Sequence, residues 1–243
     1  MNAQSVNLLI TSVCLLMIMA VPTVGSAATP GCDPNNSNTW GPVSWGAGTT
    51  VSSTARIGAG TTIGEDSYIG AYVKIGVCGT VGDNVTMTSY SKAGDAVDIG
   101  NFSTIGNSAR LKDGVTIESG VQVNKDVLIG NNVTVHNGTT IGTRARVGDG
   151  TELGPSTTVN AHVVIGQNGA FGLGNGFVVL GSYVSVKDGV TVGDSTTVGT
   201  RSRIGYNVIL GHDDVLGSKV VMCDNAQLAD NMTLASYTRY GCN

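Results

Sequence analysis

An all-β solenoid of stacked parallel strands is the fold class this sequence predicts, and three observations predict it. An apolar anchor recurs every six residues without slippage from Val51 through Ile57, Ile63, Ile69 and Ile75 to Phe171, a period no helix has. The residue after the anchor is usually glycine (Gly58, Gly64, Gly70, Gly76), and the residue two before it is small or β-branched (Thr61, Ser67, Val85, Val97), as inward positions on a short strand require. Pairs that tolerate left-handed turns, such as Asp83-Asn84, Asp113-Gly114 and Asn131-Asn132, separate the segments. Six residues cannot bury their own anchor, so successive segments must wind into coils and the coils must stack.

The elements follow in chain order. Leu8 to Val21 is an apolar run too short to span a bilayer comfortably, and Gly25-Ser26-Ala27-Ala28 after it fits a cleavage site, so residues 1–28 are expected to be a signal peptide, although no Lys or Arg precedes the run. Residues 29–50, with Pro30, Pro34, Trp40, Pro42 and Trp45, read as a cap over the first open coil. Residues 51–243 are the solenoid. Its register moves by three residues near 172–179 and resumes at Leu180, Val186, Val192 and onward to Leu234. The glycine-rich stretch from Gly169 to Gly176 reads as a bulge; no helix follows it, as a phosphate cradle would need.

Export would remove Cys14 and leave Cys32, Cys78, Cys223 and Cys242, an even number in an oxidising compartment. Cys223 and Cys242 are nineteen residues apart, close to one coil, and a disulfide is expected there. Pairing of Cys32 with Cys78 is a weaker expectation, because the segment before Val51 need not follow the coil. The protein is expected to be secreted, periplasmic or at the cell surface.

Over roughly Val51 to Leu234 the pattern of aliphatic, Gly, two variable residues, small residue and variable residue resembles the hexapeptide-repeat family. The resemblance implies a left-handed parallel β-helix in which three hexads make one triangular coil of eighteen residues, giving about ten coils here. It also implies three faces: A with Val51, Ile69 and Met87; B with Ile57, Ile75 and Ala93; C with Ile63, Val81 and Ile99.

On that winding the thirteen Lys and Arg sort to one side. Arg56, Lys74, Lys92, Arg110 and Arg146 precede face B anchors, Lys112 follows one, and Lys125 and Arg144 take the A-to-B corner. If the phase break is an insertion, Lys187, Arg201, Arg203, Lys219 and Arg239 join them; a deletion scatters them. Acids, among them Asp98, Glu118, Asp149 and Glu152, take face C or its corners, with Asp126 and Asp214 as exceptions. The net charge is only -4. Cations stacked near 5 Å repel by roughly 1 kcal/mol per pair even in water, so the ladder calls for counter-charge.

Three functional readings compete. The leading one is an exported, non-enzymatic solenoid that self-assembles into a homo-oligomer, as a trimer or open fibre, or binds an anionic surface or polymer through the face of Arg56, Lys74, Lys92, Arg110, Lys112, Arg146, Arg203 and Arg239. The second comes from the family: most characterised members resemble acyltransferases using coenzyme A or acyl carrier protein, with a His as general base, or carbonic anhydrases with zinc held by three His. The sequence leans against an enzyme. No projecting loops wall a site, and the only catalytic candidates are His212, with Asp213 or Asp214 to orient it, and His162; His136 follows a C anchor. The third is binding to ice or another lattice through a face A ladder of Thr50, Thr86, Thr104, Thr140, Thr158, Thr197 and Thr233, interrupted by residues such as Tyr68 and Gln122. No cofactor or metal is expected, since the zinc enzyme's pair of His four residues apart is missing. No nucleic acid is expected either, since Tyr72 and Tyr90 fall at corners away from the cations.

Overall fold

The computed structural model describes residues 32, 33, 35, 41–174 and 176–242. The expected leader, Trp40 and most of the residues before 41 lie outside the described residues. Every strand has two or three residues, and each pairs in parallel with the strand one coil away: Ser44–Trp45 with Thr62–Ile63, Thr50–Val51 with Tyr68–Ile69, Arg56–Ile57 with Lys74–Ile75. The result is a three-faced parallel β-solenoid. Faces A and B carry eleven strands each and face C ten, about one coil more than the sequence suggests. At ~4.8 Å between strands the rod is about 50 Å long. Its winding begins at Ser44, inside the stretch assigned to a cap.

Two columns of side chains fill the interior. The anchors are almost completely buried, and so are the residues two before them, such as Val73, Val85 and Val115. Where that second column carries a hydroxyl, most follow one rule: the oxygen donates to a carbonyl fifteen residues on and accepts an amide eighteen residues on, while Ser91 donates to Thr88 O and Thr157 Oγ1 has no partner. Ser67 Oγ donates to Gly82 O at 2.9 Å and accepts from Val85 N at 3.0 Å, and Thr61, Ser103, Thr196 and Ser202 repeat the pattern. A buried hydroxyl that makes both bonds therefore costs little here.

The glycine after each anchor is a packing requirement. A Cβ on Gly58 would run into the backbone of Gly76 and Val77 on the next coil. Corners place the residue three after the anchor in the left-handed region, including Asn84 (φ 55°), Asn132 (φ 52°) and even Tyr72 (φ 58°). A second ladder fastens the corners: the side chain two after an anchor accepts the amide of the residue eighteen before it. Asp83 takes Glu65 N at 2.7 Å, Asp95 takes Val77 N at 2.9 Å and Asp224 takes Tyr206 N at 2.9 Å.

The phase break is an insertion. Val159 pairs with Leu180, Ile165 with Val186 and Phe171 with Val192, so this one coil has three extra residues. They leave the rod between Phe171 and Val178, where Gly172 is left-handed and Gly174 N donates to Asp194 Oδ1 at 3.0 Å. Both expected disulfides are formed, Cys223–Cys242 on the last coil and Cys32–Cys78 at the corner that follows Lys74–Ile75.

Candidate active site

On face C the position after the anchor is Gly46, Gly64, Gly82 and Gly100, then Glu118 and His136, then Gly154, Gly172, Gly193 and Gly211. Two adjacent coils in mid-rod thus replace the flat glycine floor with functional side chains. Register stacks Ile117, Val135 and Leu153 on consecutive strands, which puts Glu118 one coil below His136 and Glu152, just before Leu153, one coil above. His136 Nδ1 lies 3.0 Å from Glu118 Oε1, and its Nε2 lies 2.8 Å from Glu152 Oε1. The second oxygen of Glu118 accepts Asn137 N at 3.0 Å, so Glu118 is held at both ends. Glu152 has no further hydrogen bond among the described residues, so it alone of the two carboxylates is free to swing.

The imidazole is three-quarters buried and the carboxylates are more open. Burial is the largest single influence on His136 and lowers its pKa. The hydrogen bonds to Glu152 and Glu118, with the charge of both carboxylates, outweigh it, and the net direction is up from 6.5. Sequence reasoning noted His136 only as a residue after an anchor; the interruption of the glycine run was the signal that could have found it.

The two histidines singled out from sequence stand elsewhere. His212 occupies a corner-ladder position, where its Nδ1 accepts Asp194 N at 3.1 Å in place of the usual carboxylate or amide. That leaves the neutral ring's proton on Nε2, the wrong tautomer for a base facing outward. Neither expected partner orients it. Asp214 is buried and accepts Met232 N at 2.8 Å, and the His212 amide goes to Asp230. His212 does line a cleft of about 400 Å³ with Ala170, Leu173, Gly174, Thr191 and Ile209, so the three-residue insertion walls one side of it. His162 is a left-handed corner residue (φ 60°) stacked on Tyr183 at 4.7 Å. The three histidines do not converge.

Because the break is an insertion, Lys187, Arg201, Arg203, Lys219 and Arg239 fall with the earlier cations on face B and its A-side corner. Five of the thirteen already have partners within the chain. Lys112 meets Asp149 at 3.4 Å and Arg144 meets Asp126 at 3.9 Å, while Lys187, Arg201 and Lys219 lie over Tyr206, Tyr183 and Tyr237. Tyr72 and Tyr90 require a correction. Each lies three residues after a face A anchor, hence on the same A-to-B corner as Arg144, and they stack on each other at 5.0 Å. The threonine ladder is in register on face A, broken by Tyr68, Gln122, Val179 and Val215.

Residues 108–143 match the family model described as "Bacterial transferase hexapeptide (six repeats)". No curated protein matches the chain by sequence. Among solved structures, the chain is similar to LpxA, a UDP-N-acetylglucosamine acyltransferase from Bacteroides fragilis, with 19% identity over 69% of this chain and 68% of that one and a TM-score of 0.49. It is also similar to a putative acetyltransferase from Bacillus cereus, with 19% identity over 50% of this chain and 77% of that one and a TM-score of 0.39. UDP-N-acetylglucosamine acyltransferase from Campylobacter jejuni gives 19% identity over 77% and 63%, with a TM-score of 0.29. At these identities and scores the three structures say nothing of activity. The transferase-repeat match overturns the expectation of a non-enzymatic solenoid acting through its cationic face, and it favours the acyltransferase alternative.

Proposed function

We propose that this chain, which matches the transferase hexapeptide model over residues 108–143, is an acyltransferase in which His136 is the general base and Glu118 its positioning partner. The observation that carries this reading is the Nδ1 contact to a carboxylate that a backbone amide itself holds in place. A base needs one nitrogen fixed as donor so that the other presents its lone pair to the reacting group. Glu118 fixes Nδ1, and Nε2 faces outward once Glu152 moves aside. His136 would take the proton of an attacking acceptor and return it to the thiolate released from an acyl thioester.

Gly100 and Gly154 leave the floor on either side of the site flat, and a homo-oligomer in which a second copy covers face C would supply its walls. We further place the protein in the secreted, periplasmic or cell-surface space. The two disulfides and the apolar run with its cleavage-like sequence support that location. The acyl donor is then an activated ester or thioester that reaches it.

The test is thiol release from acetyl-coenzyme A, and nitrophenol release from p-nitrophenyl acetate, with mixed amine and hydroxyl acceptors. His136→Ala should lose about 10²- to 10⁴-fold in turnover, the usual worth of a positioned base, while His162→Ala and His212→Ala keep theirs. The base must be neutral, so the rate should climb as pH rises through a His136 pKa above 6.5. Glu118→Gln should move that climb to lower pH. Full activity in His136→Ala would rule the residue out, and no turnover with either donor would remove the acyltransferase reading.

A further inference from the structure

Resting on that reading, we infer that the acyl acceptor at His136 is a primary ammonium, which Glu152 captures, so that the product is an amide. Two independent features of the chain lead there. The first is charge placement. All Lys and Arg lie on face B and its A-side corner, and the side chains projecting from face C near the site are Asp98, Thr116, Glu118, Thr134, His136 and Glu152. Even with His136 protonated the site carries net negative charge, so it attracts cations and repels anions.

The second is a count of protons. With His136 protonated, each ring nitrogen donates to one carboxylate. Once it is neutral, Glu118 keeps the Nδ1 proton, and the Nε2 lone pair is left facing Glu152 Oε1 at 2.8 Å, two acceptors with nothing between them. An ammonium has three donors and bridges Nε2 and Glu152 together. A hydroxyl has one and can satisfy only one of them. Glu152 is the carboxylate without a second tether, so it can follow the ligand, whereas Glu118 stays on Asn137 N.

The step balances. His136 Nε2 removes one proton from the ammonium and the resulting amine attacks the thioester carbonyl. The C–N bond forms as the C–S bond breaks. Of the ammonium's three protons, one remains on the amide, one passes through His136 to the departing thiolate and one is released to solvent.

The experiment uses the full chain with two sets of probes, putrescine and glucosamine as amines and 1,4-butanediol and glucose as their neutral counterparts. Two readouts are followed, acylation from acetyl-coenzyme A and the His136 ring signal in proton–carbon NMR. The amines should be N-acylated and should shift the His136 signal, with the neutral probes doing neither. Glu152→Gln should raise the KM for amines by about tenfold or more with kcat within a few-fold, as loss of a charge-assisted contact does, and Glu152→Asp should recover part of it. Acylation of the hydroxyl probes in preference to the amines would overturn the inference and leave the acyltransferase reading standing. Amines that shift the His136 signal but are never acylated would sink the acyltransferase reading, and the acceptor role with it, leaving only an ammonium-binding site. Amines that neither bind nor react would overturn the inference outright.

Discussion

Asp214 is the residue whose chemistry fits the repeat least. It occupies the second inward column, above Val178 and Thr196, and is fully buried. One oxygen accepts Met232 N, and the other has no partner. Burial pushes its pKa above 3.8, the hydrogen bond from Met232 N pulls against that, and the nearby charges of Asp230 and Asp213 add to it. An acid whose folded pKa is raised is stabilised by the fold only while protonated. Its contribution is therefore largest below about 3.8, is lost as pH climbs through the raised value and stays absent at neutrality. Threonine obeys the rule seen at Ser67 and Thr196, since it would accept Met232 N and donate to the carbonyl fifteen residues on, that of Ala229. Asp214→Thr should stabilise the chain at pH 7 by about 1–3 kcal/mol, the cost of a buried unsatisfied group. Denaturant titrations at pH 7 and pH 3.5 check it, and the gain should shrink at the lower pH.

At the scale of the element, each coil leans on its neighbours, so the ends are the weak points. The last coil has no successor to accept its amides, and Cys223–Cys242 closes it at a Cα separation of 5.1 Å. A loop of this size is worth about 3 kcal/mol in chain entropy. Cys223→Ser with Cys242→Ser should speed amide exchange over residues 221–240 and leave residues 62–160 unchanged, as mass spectrometry of exchanged peptides would show. This staple was legible in the sequence because nineteen residues nearly equal one coil. The anchors, corners and phase break were legible for the same reason: in a solenoid, spacing along the chain is position in space. Glu118 and His136 also left a trace, by displacing glycine from a regular column. Glu152 did not, because it precedes its anchor while His136 follows one, and their meeting depends on how far a long side chain reaches across a coil. The tautomer that demotes His212 was hidden too, since it follows from a hydrogen bond to Asp194 N that the residue type does not announce.

For the whole molecule, a constant pitch makes length adjustable. Removing residues 83–100 joins Gly82 to Asn101 in the same phase and keeps every face in register. That deletion should remain soluble and β-rich by circular dichroism, melt a few degrees lower for its smaller core, and keep the proposed acyl transfer, since Glu118, His136 and Glu152 still stack. Deleting 83–91 should fail to fold, because nine residues shift every later anchor away from its column.

The separation of charge about the long axis gives the rod a transverse electric dipole. Its moment turns the molecule before contact, so that a small positive solute meets the side holding His136 first and a negative one meets the opposite side. Since fields of this kind fade over about 8 Å in physiological salt, such steering acts only in the last moments of an encounter. Its signature is an encounter rate that falls with added salt while the rate of the bound complex does not change.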